Sequence, residues 1–347
     1  MTDDQWLAFT PRDTVLVRDG RSFDAGSDTV AESTLPGPST VAGAVHAAYG
    51  QDAEEVRGPL LARHDGYAWQ TFLPTPLDLV RVEGEDPCTV HRLAALPLDV
   101  TTDLTDHCPL WMVGEGDPVG GFISGNALSR YLNGELVPPD GSAELDEDDL
   151  PPSPFQAEAR IGLARTEERT ARTGLLYQSG HLRPVDGLSV LALCVAPADG
   201  LPAPAGPVKL GGRGRLADVE AVEGISWPEY PDEYPNGRVL VYLATPAIWP
   251  DGWRIPVPPD ASLVAAATGP PQAVAMASPR TGFETSRQLR WAVPAGSVYL
   301  LEFTGGPDAA RKAREWAHDI HGKAYAPGGV ERLRTAGFGV VLTGAWH

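Results

Sequence analysis

Cysteine is scarce: three residues in a chain of 347. Three thiols cannot build a disulfide framework, and they fit a reducing compartment. Basic residues are also few, 27 Lys and Arg against 46 Asp and Glu, for a formal net charge of −19. A chain this acidic is not expected to coat nucleic acid or anionic membrane indiscriminately. Long hydrophobic runs are missing, and the apolar stretch from Leu188 to Ala198 is strand-length, far short of a membrane span. The opening Met1-Thr2-Asp3-Asp4-Gln5-Trp6 has neither the basic nor the apolar region of a secretory signal. A soluble cytoplasmic protein without membrane contact is the expectation. The familiar catalytic signatures are absent as well: no Gly-x-Ser-x-Gly elbow, no Walker loop, no Gly-x-Gly-x-x-Gly between a strand and a helix.

What is present is enough apolar material for a sizeable core, 42% hydrophobic residues, together with 38 Gly and 34 Pro that imply many turns. The length suggests two domains. The charge is unevenly spread. Residues 1–157 hold 8 Lys and Arg against 27 Asp and Glu, whereas residues 158–347 hold 19 of each. All the net charge therefore lies in the first part, much of it between Asp140 and Asp149. Overall acidity says nothing about what the second part binds.

Along the chain, Thr14–Arg18 reads as a short strand. Ser39 or Thr40 is placed to cap a helix of small apolar residues that Gly50 stops. Residues 51–155, with turn clusters, a Pro-rich stretch and the acidic segment, read as an insertion, with a helix at Asn126–Asn133. Strands are expected at Arg160–Arg165, Gly174–Tyr177 and Leu188–Val195, the last buried on both faces. A boundary falls in the Pro/Tyr/acid stretch Trp227–Gly237. Beyond it, Arg238–Leu243, Val298–Phe303 and Phe338–Leu342 read as strands. A helix from Asp308 aligns Ala309, Ala313, Trp316 and Ile320 on one face. The order strand, connection, strand, helix, strand is that of a split βαβ unit. The predicted fold is α+β, two tandem ferredoxin-like (RRM-like) domains: residues 1–230 with an insertion at 51–155, and residues 237–347.

Eight scattered histidines carry no catalytic arrangement, though His46 and His181 lie beside motifs of interest. Cys88 and His91 have ligand spacing and His107-Cys108 add donors, but adjacent residues rarely both reach one metal. No metal and no cofactor is expected. Arginines are more telling. Arg160, Arg165, Arg169, Arg172 and Arg183 share one strand–loop–strand region in which Glu167 and Glu168 are the opposing acids. Lys209–Arg215 has three bases, three glycines and no acid, a composition that lets backbone N–H groups approach phosphates. Arg280, Arg287 and Arg290 lie near Trp291, a pairing suited to stacking.

These motifs resemble a known family in order along the whole chain. Val17-Arg18-Asp19-Gly20-Arg21-Ser22-Phe23 is similar to "RDGRPF", and Leu35–Ala44 to "PPPSTLAGAL". Arg160-Ile161-Gly162 through Gly174-Leu175-Leu176-Tyr177 resembles "RIGI…EGLLY", and Leu210–Arg215 resembles "LGGEGR". Thr245-Pro246-Ala247, Val293–Tyr299, and Gly337-Phe338-Gly339 with Trp346 match later marks. The family is that of Cmr subunit 3 of type III-B CRISPR effector complexes, Cas5-like members of the RAMP superfamily. His46 stands where the family usually has arginine, and Arg213 where an acid is common.

The resemblance implies two ferredoxin-like domains and a subunit that is not a nuclease. Its implied role is to hold the 5′ repeat-derived tag of the CRISPR RNA while contacting the large subunit and a backbone subunit. Splayed single-stranded nucleotides suit such recognition. The expected RNA contacts are Ser39 and Thr40 at a helix N-terminus, Arg160, Arg165, Arg169 and Arg172 along the tag, Gly211, Gly212, Arg213 and Arg215 in a phosphate-cradling loop, and Arg287 and Arg290. Two rivals stand beside this reading. One is a metal-independent riboendonuclease processing CRISPR transcripts with His46 or His181 as base; the other is a protein-binding scaffold.

Overall fold

The computed structural model describes residues 4–17, 33–97, 108–138, 141–276 and 288–346. The chain is α+β, dominated by antiparallel sheet with few helices.

The first sheet is built from β1 (Gln5–Pro11), β2 (Glu55–His64), β3 (Trp69–Pro74) and β4 (Phe122–Ser124). A long hairpin, β5 (Phe155–Arg165) and β6 (Ala171–Pro184), precedes its remaining strands β7 (Leu188–Val195), β8 (Val208–Lys209) and β9 (Leu216–Val222). The spatial order is β8-β9-β1-β7-β2-β3-β4. Helix α1 (Pro38–Tyr49) connects β1 to β2, and β7 lies between those two strands. Among β1, β2, β7 and β9, numbered by chain order, the sequence across the sheet is therefore 4-1-3-2.

The middle strand of the seven is β7, with β1 beside it. Trp6 and Ala8 face one core while Leu7 and Phe9 face another, so both faces of β1 are buried. Thr14–Val17 makes only isolated bridges, Val15 to Leu182 and Leu16 to Gly211. The expected insertion also begins later than residue 51. Glu55–His64 pairs with β7 inside the main sheet, because Val56, Leu60, Leu61 and Ala62 supply buried apolar positions on both sides. The helix expected at Asn126–Asn133 is α2 (Gly125–Leu132), capped by Ser124 Oγ accepting from Ala127 N at 3.2 Å.

The second sheet comprises β10 (Arg238–Leu243), β11 (Ala261–Ala267), β14 (Val298–Phe303), β15 (Lys323–Ala324) and β16 (Val340–Ala345). Their order is β11-β14-β10-β16-β15, with α3 (Ala309–Ile320) between β14 and β16. Among β10, β11, β14 and β16 the same 4-1-3-2 order recurs. A side hairpin, β12 (Gln272–Met276) and β13 (Gln288–Ala292), branches from it. All strands of the first sheet precede Val222 or end there, and all strands of the second begin at Arg238 or later, yet the halves share one core. Trp6, Leu60 and Tyr131 from the first part pack in one cluster with Leu240, Val298, Leu342 and Trp346. Gly344 lies so close to α2 that a Cβ there would stand 2.6 Å from the Leu132 carbonyl oxygen.

The connection between the sheets is strapped to the end of α3. His321 Nε2 lies 2.9 Å from Pro228 O, so it donates there, while Nδ1 accepts from Thr343 N at 3.0 Å. The donation to Pro228 survives protonation, whereas acceptance at Nδ1 requires a neutral ring. Burial drives its pKa down from 6.5 to about 4, against the opposing Pro228 hydrogen bond. Since the folded value is depressed, this stabilisation is complete above pH 6.5 and is lost as pH falls toward 4. We expect about 3 kcal/mol of stability to disappear across that window. Urea unfolding at pH 7.5, 6 and 5 checks it: His321→Gln should flatten the slope there, and an unchanged slope would exclude His321 as its source.

Candidate nucleic-acid interface

Residues 155–184 form a two-stranded ribbon with a tight turn. In its antiparallel register Glu158 opposes His181, Arg160 opposes Ser179 and Gln156 opposes Arg183. Side chains alternate along each strand, so Glu158, Arg160, His181 and Arg183 share a face. That face meets the segment after β1. Thr14 Oγ1 lies 2.9 Å from His181 Nδ1, and Val15 exchanges backbone bonds with Leu182 at 2.7 and 2.9 Å.

Three guanidinium groups converge on Asp13. Arg160 Nη2 donates to Asp13 Oδ2 at 3.1 Å, Arg183 Nη2 to Oδ1 at 3.3 Å, and Arg215 Nη1 to Oδ2 at 2.6 Å. Glu158 accepts from Arg160 Nε at 2.6 Å and also from Arg183 Nε. Partial burial favours protonation of Asp13, but Arg160, the Thr14 N–H and Arg215 outweigh it and hold the carboxyl below its usual range. Hydrogen bonds from Arg183 and Arg160 likewise lower Glu158. Beneath them, burial lowers His181, and the charges of Arg215 and Arg160 add to the effect.

Arg215 arrives from the turn between β8 and β9. Gly211 has φ +89 and bridges Leu16; an added Cβ would stand 2.6 Å from the Leu16 carbonyl oxygen. Glycine is required there by both conformation and space. The Gly212 N–H already donates to Leu16 O at 2.7 Å, so this turn is docked on the segment after β1. Arg213, with φ +53, and Gly214, with φ +67, complete it on the exposed side.

The lead-in to α1 crosses the same place. Thr34 N donates to Val17 O at 2.7 Å, and Ser33 Oγ to Gly180 O. The N-cap is Gly37 rather than Ser39 or Thr40, with Pro38 opening the helix and no side-chain cap bond. Pro at the first helical position fits, since it has no N–H to leave unsatisfied there. Ser39 is consequently exposed in the first turn and Thr40 partly so. The helix is buried on one face only, through Val41, Ala44, Val45, Ala48 and Tyr49.

The structure thus gathers Arg160, Gly211, Gly212 and Arg215 with the approach to Ser39 and Thr40. Arg165 and Arg169 lie exposed at the ribbon's far end, Arg169 with φ +64 in the turn. Arg172 falls in β6. Arg290 belongs to β13 on the second sheet's side hairpin, with Trp291 beside it 63% exposed. Arg280 and Arg287 lie outside the described residues.

The pairing of Asp13 with these arginines has no local sign in the sequence: its ion pairs span 147 to 202 residues. Glu158 had a local sign, its i, i+2 spacing from Arg160. Asp13 and Glu158 also mean that the arginine cluster is opposed by more than Glu167 and Glu168. Of the histidines singled out, His46 Nδ1 is 2.7 Å from Asp52 on the exposed side of α1, and His181 is buried. His91 Nε2 is 2.6 Å from Glu85, Cys88 is exposed, Cys108 is buried, and His107 lies outside the described residues. Among the described residues no three potential ligands cluster as a metal site, and no helix is long and apolar enough to cross a membrane.

An α+β chain built on two large antiparallel sheets, with an arginine-lined ribbon docked beside a glycine turn, is the class that fold and site define. The family model described as "CRISPR-associated protein (Cas_Cmr3)" matches residues 7–346. The chain belongs to that family. Among solved structures it is similar to a chain of "Cryo-EM structure of the Type III-B Cmr-beta bound to cognate target RNA", with TM-score 0.50 and 14% identity over 91% of this chain and 89% of that one. The same values hold for a chain of the related structure "bound to cognate target RNA and AMPPnP, state 1". At that identity the likeness concerns the fold. Comparison with curated proteins gives no match.

Proposed function

We propose that this chain is the non-catalytic RNA-binding subunit of a type III-B Cmr complex, holding the 5′ tag of the CRISPR RNA and contacting the large subunit and backbone subunits. The observation that carries the reading is the convergence of Arg160, Arg183 and Arg215 on one partly exposed face, in a chain of the Cas_Cmr3 family. Arginine forks match phosphate oxygens, and single-stranded RNA adds stacking and 2′-OH contacts. Complexes bearing the Cmr name have been solved with target RNA bound, which agrees with this assignment.

The recurrent 4-1-3-2 strand order favours two ferredoxin-like units, each keeping one helical crossover: α1 in the first and α3 in the second. A non-catalytic role is favoured by the histidines. His181 is only 2% exposed beneath the arginines, and His46 is engaged with Asp52. Buried in this way, His181 does not stand open to a substrate hydroxyl as a general base must.

The test is crosslinking in the assembled complex with photoreactive nucleotides in the tag. Crosslinks should fall within residues 158–347, with Ser39 and Thr40 as further contacts, and the absence of any crosslink to this chain would refute RNA contact and favour a scaffold. The isolated chain should leave repeat RNA intact. Metal-free cleavage lost in His46→Ala or His181→Ala would establish the riboendonuclease instead.

A further inference from the structure

The arginine cluster is overbuilt for the carboxylate it holds. Arg160 and Arg183 already have Glu158 as a partner on their own ribbon. Arg215 reaches Asp13 through Nη1, while its buried Nε has no hydrogen-bond partner among the described residues. Asp13 is meanwhile 40% exposed. Its main chain is pinned immediately downstream by the Val15–Leu182 and Leu16–Gly212 bonds, leaving side-chain rotation as its freedom. In this arrangement a carboxylate offers two acceptor oxygens to several guanidinium donors, the same edge that a phosphodiester presents.

We propose that Arg160, Arg183 and Arg215 form one phosphate subsite, and that the Asp13 carboxylate occupies it until an RNA phosphodiester displaces it. The inference rests on the RNA-binding reading above and adds an internal competitor to it. Glu158 stays in place on displacement and keeps Arg160 and Arg183 oriented. With Asp13 turned outward, three cationic side chains face one acid; with Asp13 inward they face two. An isolated anion gains little over the carboxylate it replaces, because the exchange trades one set of charge-assisted bonds for another. A strand held by neighbouring contacts as well gains from the exchange. Asp13 thus selects for a correctly seated tag in an otherwise acidic protein.

The experiment uses the full chain and a fluorescein-labelled single-stranded RNA carrying the repeat-derived tag, titrated at two salt concentrations. Asp13→Asn preserves shape and the acceptor for the Thr14 N–H but removes the competing charge. It should tighten binding about 3- to 10-fold, while Arg215→Ala weakens it and Arg311→Ala, distant on α3, leaves it unchanged. Asp13→Ser is the second variant, and circular dichroism confirms that each is folded. Equal or weaker binding by both folded Asp13 variants, with Arg215→Ala still defective, would make Asp13 a positioning residue and overturn the competitor while leaving RNA binding intact. Binding by wild type that is indifferent to Arg215→Ala would overturn the subsite. No binding by wild type or by the crosslinked complex would overturn both this inference and the reading beneath it.

Discussion

Asp78→Ala is expected to lower unfolding stability by about 3–5 kcal/mol, the usual consequence of stranding a buried charge. Asp78 is fully buried and Arg92 is 7% exposed. Arg92 Nε donates to Asp78 Oδ2 at 3.0 Å, and Tyr131 Oη donates to the same carboxylate at 2.7 Å. The Arg92 guanidinium also lies 4.5 Å from the centre of the Tyr131 ring. Tyr131 sits on α2, within the core shared by both sheets. Removing the carboxylate leaves a guanidinium and a phenol buried without their acceptor. Chemical denaturation measures the loss as a shift in midpoint. The paired replacement Asp78→Leu with Arg92→Met should cost less than either half alone, since it removes both charges from the interior. A loss under about 1 kcal/mol for Asp78→Ala would show that Arg92 relaxes toward water instead.

That triad also illustrates what local sequence can and cannot reveal. The β7 strand is legible because seven successive residues from Leu188 to Cys194 are all buried. The apolar stripe of α3 is legible because Ala309, Ala313 and Ile320 recur at helical spacing. The strand β11 is not, since Ala-Ser-Leu-Val-Ala-Ala-Ala has little β-propensity and depends on pairing with β14. Residues 51–155 look like an insertion because turn-rich loops and short strands surround β2, β3 and β4, hiding three strands of the main sheet. The same limit governs the site. Arg160, Gly211 and Arg215 stand out by composition, whereas the bridge of Leu16 to Gly211 and the ion pairs to Asp13 exist only after long-range pairing.

Arg160→Glu combined with Arg215→Glu is expected to weaken binding of tag RNA on the order of 100-fold or more. Each reversal removes a charge-assisted hydrogen bond worth roughly 1.5–3 kcal/mol and adds repulsion against the phosphate. The salt dependence should shrink along with the affinity, by about 0.7 in the log–log slope for each phosphate of the single strand that is no longer neutralised. The two new carboxylates would face Asp13 and Glu158, so Arg160→Gln with Arg215→Gln is the milder pair, keeping polar groups without repulsion. Both pairs lie on partly exposed side chains, 32% and 24%, so the cores beneath should survive, and the Gln pair should move the melting curve less than the charge-reversing pair. Arg165→Ala with Arg169→Ala tests the opposite end of the ribbon, where both arginines are exposed. If the tip pair abolishes binding and the basal pair does not, the RNA follows the ribbon's end. If the basal pair alone abolishes it, the strand lies where the ribbon, the glycine turn and the approach to α1 meet. The second outcome is the expected one, because it is there that arginines from two separate elements point at a single acceptor.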